Sequence, residues 1–407
     1  MTTIDHPVID LVDPASFADG HPFEQYRWLR DNDPVHFHHE PGGPGFWAVT
    51  TYADVRDVGR RPATFSSKGT ILIPDSSTIE LPGNHEMMLT MDPPRHGPFR
   101  RLMIPDFMPR AVARMCDRVG ELAERIIDAV CERGECDLVD DVGGEMPSYV
   151  VADMLGLPLD DGRELYKLTE MIHSAPETKT EEANTAAINA MFEYAGSVYA
   201  DRVAHPTGDL SSRLVHAEVE GRRFDELDFA LMFLLLVDAG GDTTRNVVGG
   251  GMEALFQHPA ERALLCADPD TMMPTAIEEL LRWVSPVAYM RRTATEDTVL
   301  GTRNVAVGDK VVMYYGSANR DPRVFDDPDT FDLRRTPNDH VAFGGGGPHF
   351  CLGSHLARVE LKAIMGELLT RLPDMEPAGP TVWQDSVFIS GPKHMPVRFT
   401  PSARRGT

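Results

Sequence analysis

From about residue 98 onward, apolar side chains recur every three to four positions over long stretches, and that period predicts helices. They fall over residues 112–133, 146–155, 161–174 and 181–204. Breaks are expected at 176–180 and at His205-Pro206-Thr207-Gly208. The longest apolar helix covers 225–258, and shorter ones follow at 260–265 and 275–284. Ahead of this block lie a polar arm (1–20), ordered by docking, and a short helix (21–32) carrying Phe23, Tyr26, Trp28 and Leu29. Residues 35–52 alternate and turn at Pro41-Gly42-Gly43-Pro44, the pattern of a β-hairpin. Residues 68–89 show no period and predict a long loop, a length that usually marks function or motion. Strand patterns return at 298–315 and 387–399. No repeat or linker interrupts the chain. The pattern predicts one mainly α domain over residues 1–407 with a small β region.

Composition narrows the function classes. The 407 residues are 42% hydrophobic and 25% charged, in the range of soluble globular proteins. A formal net charge of -24 argues against non-specific binding to nucleic acid or an anionic membrane. The five cysteines (116, 131, 136, 266, 351) form no C-x-x-C pair, and a disulfide between Cys131 and Cys136 has little support. A reducing cytoplasm fits that usage. Residues 1–12 lack a signal-peptide pattern, and the longest apolar run, 229–237, is far short of the roughly 20 residues that span a bilayer. His36, His38 and His39 alternate on a strand without Cys or carboxylate partners at ligand spacing, so a surface position outweighs a metal site.

Chemistry concentrates at residues 340–358, H-V-A-F-G-G-G-G-P-H-F-C-L-G-S-H-L-A-R. Gly344 to Gly347 form a run that neither a helix nor a strand carries without loss. Cys351 and Gly353 follow, and then an apolar-periodic helix with Leu356, Val359, Leu361, Ile364, Leu368 and Leu369. A cysteine at a helix N-terminus, reached through a glycine loop, suits a thiolate. Small residues let a large flat group approach the backbone, as a thiolate ligand to haem iron requires. The bland alternative is a glycine turn before a helix with a structural cysteine.

Three more motifs weigh against that alternative. Ala239-Gly240-Gly241-Asp242-Thr243-Thr244 places two glycines, an acid and hydroxyls inside an apolar helix. Each glycine costs about 1 kcal/mol relative to alanine, and the acid must be paired. Glu279-Leu280-Leu281-Arg282 puts opposite charges on one helix face. Asp92-Pro93-Pro94-Arg95-His96 with Arg100, Arg292 after Ser285-Pro286, and His349 supply a set of basic side chains.

Together these motifs resemble the cytochrome P450 superfamily over essentially the whole chain. Gly347, His349, Cys351 and Gly353 match the haem-binding loop F-x-x-G-x-[H/R]-x-C-x-G, while Phe343 sits one position early, making the loop one residue longer. The resemblance implies a triangular helical prism with small β-sheets, binding haem b with Cys351 as the iron ligand. It implies haem contacts from Ala239, Gly240, Phe343, Gly344 and Gly353, and propionate partners in His96, Arg100, Arg292 and His349. Thr243 would hydrogen-bond activated oxygen in a groove made by the glycines, and Asp242 would relay protons. The Glu279–Arg282 pair would support the haem loop. Its usual third partner, an arginine, is replaced by Thr330, leaving Arg320, Arg334 or Arg335 as substitutes.

The resemblance further implies a monooxygenase using O2 and electrons from separate proteins, a ferredoxin and its reductase, since no dinucleotide or flavin segment follows. Arg95, Arg100, Arg101, Arg110, Arg114 and Arg118 outnumber Asp92, Asp106 and Asp117 locally, which suits either docking of an acidic donor or an ordinary helix face. The pocket is expected from 68–89, 234–238, 287–290 and 387–389, with Leu235, Asp238, Val287, Ala288 and Phe388 facing a hydrophobic substrate. Asp238, at a usually apolar position, would bind a polar substrate group, feed the relay or pair with an arginine. The long haem loop, 285–293 and 317–321 look like actinobacterial hydroxylases of sterols and methyl-branched lipids, so a steroid, terpenoid or branched lipid is expected. The alternatives are a tailoring enzyme acting on a more polar biosynthetic intermediate, or a non-enzymatic haem sensor or carrier.

Overall fold

The structure, a computed structural model, describes residues 7–78, 81–173 and 180–405. The expected break at 176–179, the first six residues of the arm, and Ile79 and Glu80 of the long loop lie outside the described residues. Helices dominate, as the 3.6-residue period predicts. The central one, Glu226–Gln257, is apolar along most of its surface because most of it is buried. Asp225 caps it in a reciprocal capping box with Asp228. At 32 residues it is about 48 Å long, enough to cross the whole core. Helices Glu145–Leu155, Leu159–His173, Glu181–Ala204 and Pro269–Val284 pack around it. Among the described residues no helix is long and apolar enough to cross a membrane.

The largest sheet among the described residues has five strands, in the spatial order Val35–His38, Phe46–Val49, Lys310–Tyr314, Tyr289–Ala294, Phe65–Ser66, and smaller two- and three-stranded sheets accompany it. The first two strands are the expected hairpin, with Val35 opposite Val49. Phe46–Val49 then pairs in parallel with Lys310–Tyr314, and the remaining pairings are antiparallel. Alternation gives the sheet two apolar faces. Val49, Val311 and Met313 bury on one side, and Phe46, Ala48, Val312 and Tyr314 on the other.

Several elements depart from the sequence expectation. The helix over 112–133 is two pieces, Pro109–Ala113 and Cys116–Val130, and helix His96–Phe107 precedes them. Helix Pro269–Val284 begins earlier than expected, with Pro269 in its first turn, where a missing N–H costs nothing. Tyr52 opens a helix, Tyr52–Arg60, instead of ending a strand. Tyr289–Ala294 is a central strand that its two arginines disguised as a polar segment. The arm docks as expected, with Leu11 and Phe17 buried.

Candidate active site

The loop before helix Ser354–Arg371 is held by its own backbone. Gly344 N–H donates to Val341, Cys351 N–H to the Phe343 carbonyl at 3.0 Å, and Phe350 N–H to Gly347. The glycine run has a packing cause that sequence alone did not show. A Cβ on Gly345 would lie 2.6 Å from the Val55 carbonyl oxygen, and one on Gly347 2.0 Å from that of Gly59. The loop therefore rests backbone to backbone on helix Tyr52–Arg60. Gly347 also has φ +78°. Phe343 lies beneath the Arg358 guanidinium, 4.6 Å from ring centroid to Cζ. Arg358 and His340 both hold Glu278; burial alone would raise that carboxyl, but the two partners bring it down to about 2.

Cys351 stands at the end of this loop, part-buried and free of any disulfide. Burial raises its thiol, against the Gly353 backbone N–H and the charges of Arg100 and Arg358, which favour the thiolate. The expected basic residues gather on the same side. The His96 and His349 rings approach to 4.3 Å between centroids. Arg100 Nη2 donates to the Phe350 carbonyl at 2.6 Å, and the buried Arg292 donates to the Arg291 carbonyl. Burial and then the charge of Arg100 lower His96 to about 4; burial, Arg292 and His96 lower His349 to about 3. The nearby carboxylate Asp92 is already engaged by Ser66 and by the Ser67 N–H. The His349 Nε2 atom is buried without a partner. Excess positive charge, an orphaned ring nitrogen and a soft sulfur fit a group that carries a thiolate-seeking metal and anionic carboxylates.

On the long helix, Leu236, Ala239, Gly240 and Thr243 lie three or four residues apart and are partly or fully exposed, although the helix around them is buried. This face is therefore left uncovered by the surrounding helices. Thr243 donates back to the Ala239 carbonyl at 3.2 Å. Asp242 points elsewhere and is buried, accepting from the Tyr166 hydroxyl at 3.1 Å. The two glycines again serve close packing: a Cβ on Gly240 would lie 2.7 Å from Val151, and one on Gly241 2.8 Å from the Tyr166 ring. Thr244 donates to Glu360, whose carboxyl is pushed up to about 8 by burial with Thr244 opposing.

The residues expected to face substrate are not placed alike. Asp238, Val287 and Phe388 are part-exposed, Leu235 is 8% exposed, and Ala288 is fully buried in the core beside Tyr289. Val287 bridges to Ile389, which joins two of the expected pocket segments. Two residues that sequence reasoning missed anchor the long loop. Arg291 Nη1 donates to the Ile73 carbonyl and pairs with Asp75 at 2.8 Å. Lys310 Nζ pairs with Glu40 and Asp75 and donates to the same Ile73 carbonyl. Both cations are buried, so residues 71–75 are pinned to the sheet.

The Glu279–Arg282 pair is wholly buried, with N–O distances of 2.7 and 2.8 Å. Its third member is Arg335, whose Nε reaches Glu279 at 3.2 Å. Arg334 pairs instead with Asp332 and Glu261. Arg320 stacks between Trp283 and Phe23 and pairs with Asp329. Thr330, which stands where the usual arginine would be, accepts from Arg282 and Arg335 through its carbonyl.

A helical prism with a glycine-held cysteine beside buried cations defines a haem-thiolate protein. Comparison with known proteins agrees. The cytochrome P450 family profile matches residues 271–376. A steroid C26-monooxygenase of Mycolicibacterium smegmatis is 41% identical over 98% of this chain and 97% of its own length. A methyl-branched lipid omega-hydroxylase of Mycobacterium bovis is 40% identical over 88% of this chain and 85% of its own. A Mycobacterium marinum cytochrome P450, solved in complex with pseudoionone, superposes with a TM-score of 0.89 at 37% identity, covering 98% of this chain and 100% of that one. The chain belongs to the cytochrome P450 family. It is accordingly a haem-iron monooxygenase, and its family implies a hydrophobic substrate and O2.

Proposed function

We propose that residues 1–407 form a single haem domain, which hydroxylates a steroid, terpenoid or methyl-branched lipid in the cytoplasm. Haem b would be held through iron by Cys351, with His96, Arg100, Arg292 and His349 on its propionates and Ala239, Gly240, Phe343, Gly344 and Gly353 against its faces. The observation that carries this reading is the set of basic side chains beside Cys351: the buried Arg292 and part-buried Arg100 bond backbone carbonyls, the nearby Asp92 is engaged by Ser66 and Ser67, and His349 Nε2 has no partner. When bound, the group supplies reductive activation of O2 at iron and oxidation of a C–H bond.

The protein residues position substrate and manage protons. The uncovered face of Leu236, Ala239 and Gly240 holds apolar substrate, while Thr243 presents a hydroxyl to it. Asp242, one residue before, would relay protons to that hydroxyl, a role supported by its burial and its bond from the Tyr166 hydroxyl. A ferredoxin with its reductase would supply electrons. Arg101, Arg110 and Arg114 are exposed on the helices beside the cysteine loop and offer a basic face to an acidic donor, whereas Arg95 and Arg118 are engaged by Glu86, Glu121 and Asp153. The lipid class is supported by the names of the relatives at 40–41% identity.

Two spectra of purified protein test the reading. The reduced carbon-monoxide complex should show the red-shifted band of thiolate-ligated haem. Oxidised protein should shift from low to high spin with members of a sterol and branched-lipid panel. Absence of the red-shifted band in folded protein would remove Cys351 as ligand. No spin shift with any member would remove the lipid class.

A further inference from the structure

The buried acid of the long helix is tied to the surface by a chain of groups. The Tyr166 hydroxyl donates to Asp242 Oδ1 at 3.1 Å and lies 3.4 Å from Glu170 Oε1. Its single proton can therefore point to either carboxylate while its oxygen accepts from the other side. Arg245 Nη1 donates both to this hydroxyl and to Glu170 Oε1, the latter at 2.6 Å, and stands 3.8 Å from Asp242 Oδ1. Its guanidinium carbon lies 5.5 Å from the centre of the Tyr166 ring, and its other nitrogen reaches Asp140 and the Lys393 carbonyl. Side-chain exposure is 3% at Arg245, 10% at Asp242 and 35% at Glu170, so the array runs from the interior to solvent. A guanidinium does not release its proton. Arg245 can order this array but cannot conduct through it. The hydroxyl can.

We propose that the Tyr166 hydroxyl passes protons from Glu170 to Asp242, with Arg245 as the positioning residue that keeps the three in register. The proposal rests on the reading of Asp242 as the relay acid. In one transfer the Glu170 carboxyl proton bonds to the Tyr166 oxygen as the Tyr166 proton bonds to the Asp242 carboxylate. Tyr166 is neutral before and after, Glu170 is reprotonated by water, and no electrons move. Burial, followed by the Asp242 charge, raises the Tyr166 phenol far above its ordinary range, so a free tyrosinate has no part in the step. The ring itself is fixed where the long helix meets helix Leu159–His173, against Gly241.

Tyr166→Phe keeps the ring and deletes one oxygen. In the holoenzyme, with an electron donor and a hydroxylated substrate, product formed per NADPH should fall at least about tenfold. Peroxide should rise to match, and the solvent isotope effect on turnover should grow. In the resting protein without donor, the infrared carboxyl band that Asp242→Asn removes should shift in Tyr166→Phe. If Asp242→Asn uncouples but Tyr166→Phe keeps wild-type coupling and an unmoved band, protons reach Asp242 by another route and the proposal is overturned. If Asp242→Asn stays fully coupled, the relay-acid reading fails and takes the proposal with it. Should Tyr166→Phe not fold, Glu170→Gln at the part-exposed end decides: peroxide release supports the route, and unchanged coupling overturns it.

Discussion

Single positions in the cysteine loop divide by what surrounds them. Gly347 combines φ +78° with the Gly59 carbonyl oxygen 2.0 Å from where a Cβ would sit. Gly344 has φ +98°, but beyond its chain neighbours a Cβ there would come no nearer than 3.9 Å, to the His349 carbonyl oxygen. Gly344→Ala should therefore cost about 1–2 kcal/mol of backbone strain. Gly347→Ala should cost about 4 kcal/mol or more, because strain and collision add. Denaturant midpoints of the pair check this, and equal losses would contradict the packing account. Glu279 is the other sharp position, since it serves Arg282, Arg335, Asn338 and the Asp332 N–H at once. Glu279→Gln leaves two arginines without their carboxylate and should cost about 3–5 kcal/mol in a urea titration. Sequence placed Glu279 and Arg282 on one helix face. It left Arg335 as one of three candidates, because a contact over 56 positions depends on where the chain returns.

Elements show what periodicity can and cannot reveal. The helix behind Asp242 and Thr243 was legible to within a residue at each end, because its Asp225 cap and apolar length are local signals. Strand Tyr289–Ala294 was not. Arg291 and Arg292 project from it to opposite sides, one to the loop at 71–75, where its partners are remote in sequence, and one to the basic cluster beside Cys351, where it bonds the adjacent Arg291 carbonyl. The loop anchor makes its own prediction. Lys310→Met strands the buried Glu40 carboxylate and should cost about 3–5 kcal/mol while speeding hydrogen exchange over 71–77. Adding Glu40→Leu should recover most of the stability but leave exchange fast, since the Ile73 carbonyl stays without its lysine. Recovery of both would show that the loop does not depend on Lys310.

For the molecule as a whole, part of the acid response follows from the buried His21, together with His96 and His349 at the cysteine loop. His21 is lowered to about 4 by burial, against hydrogen bonds to the Ser285 and Val284 carbonyls. Unfolded histidine titrates near 6.5, so between about 6.5 and 4 the unfolded chain binds the extra proton. Stability contributed by neutral His21 is thus complete above about 6.5 and lost as pH falls, by up to about 3 kcal/mol. His21→Gln keeps a donor and removes the titration. Its unfolding free energy should change less between pH 7 and pH 5 than that of the wild type. An identical pH dependence would assign the acid response to other groups.

The sequence by itself determined the helical class, the long central helix, the cysteine loop and the order of the motifs. All of these rest on local period, capping and short-range spacing. The tertiary structure decided what the glycines pack against, which arginine completes the Glu279 cluster, which cations pin the loop, and that Tyr166 reaches Asp242 and Glu170 reaches Arg245. The reason is physical. A buried charge or hydroxyl is stable only with a partner, and the partner is set by chain return across tens to hundreds of residues, which no local pattern encodes.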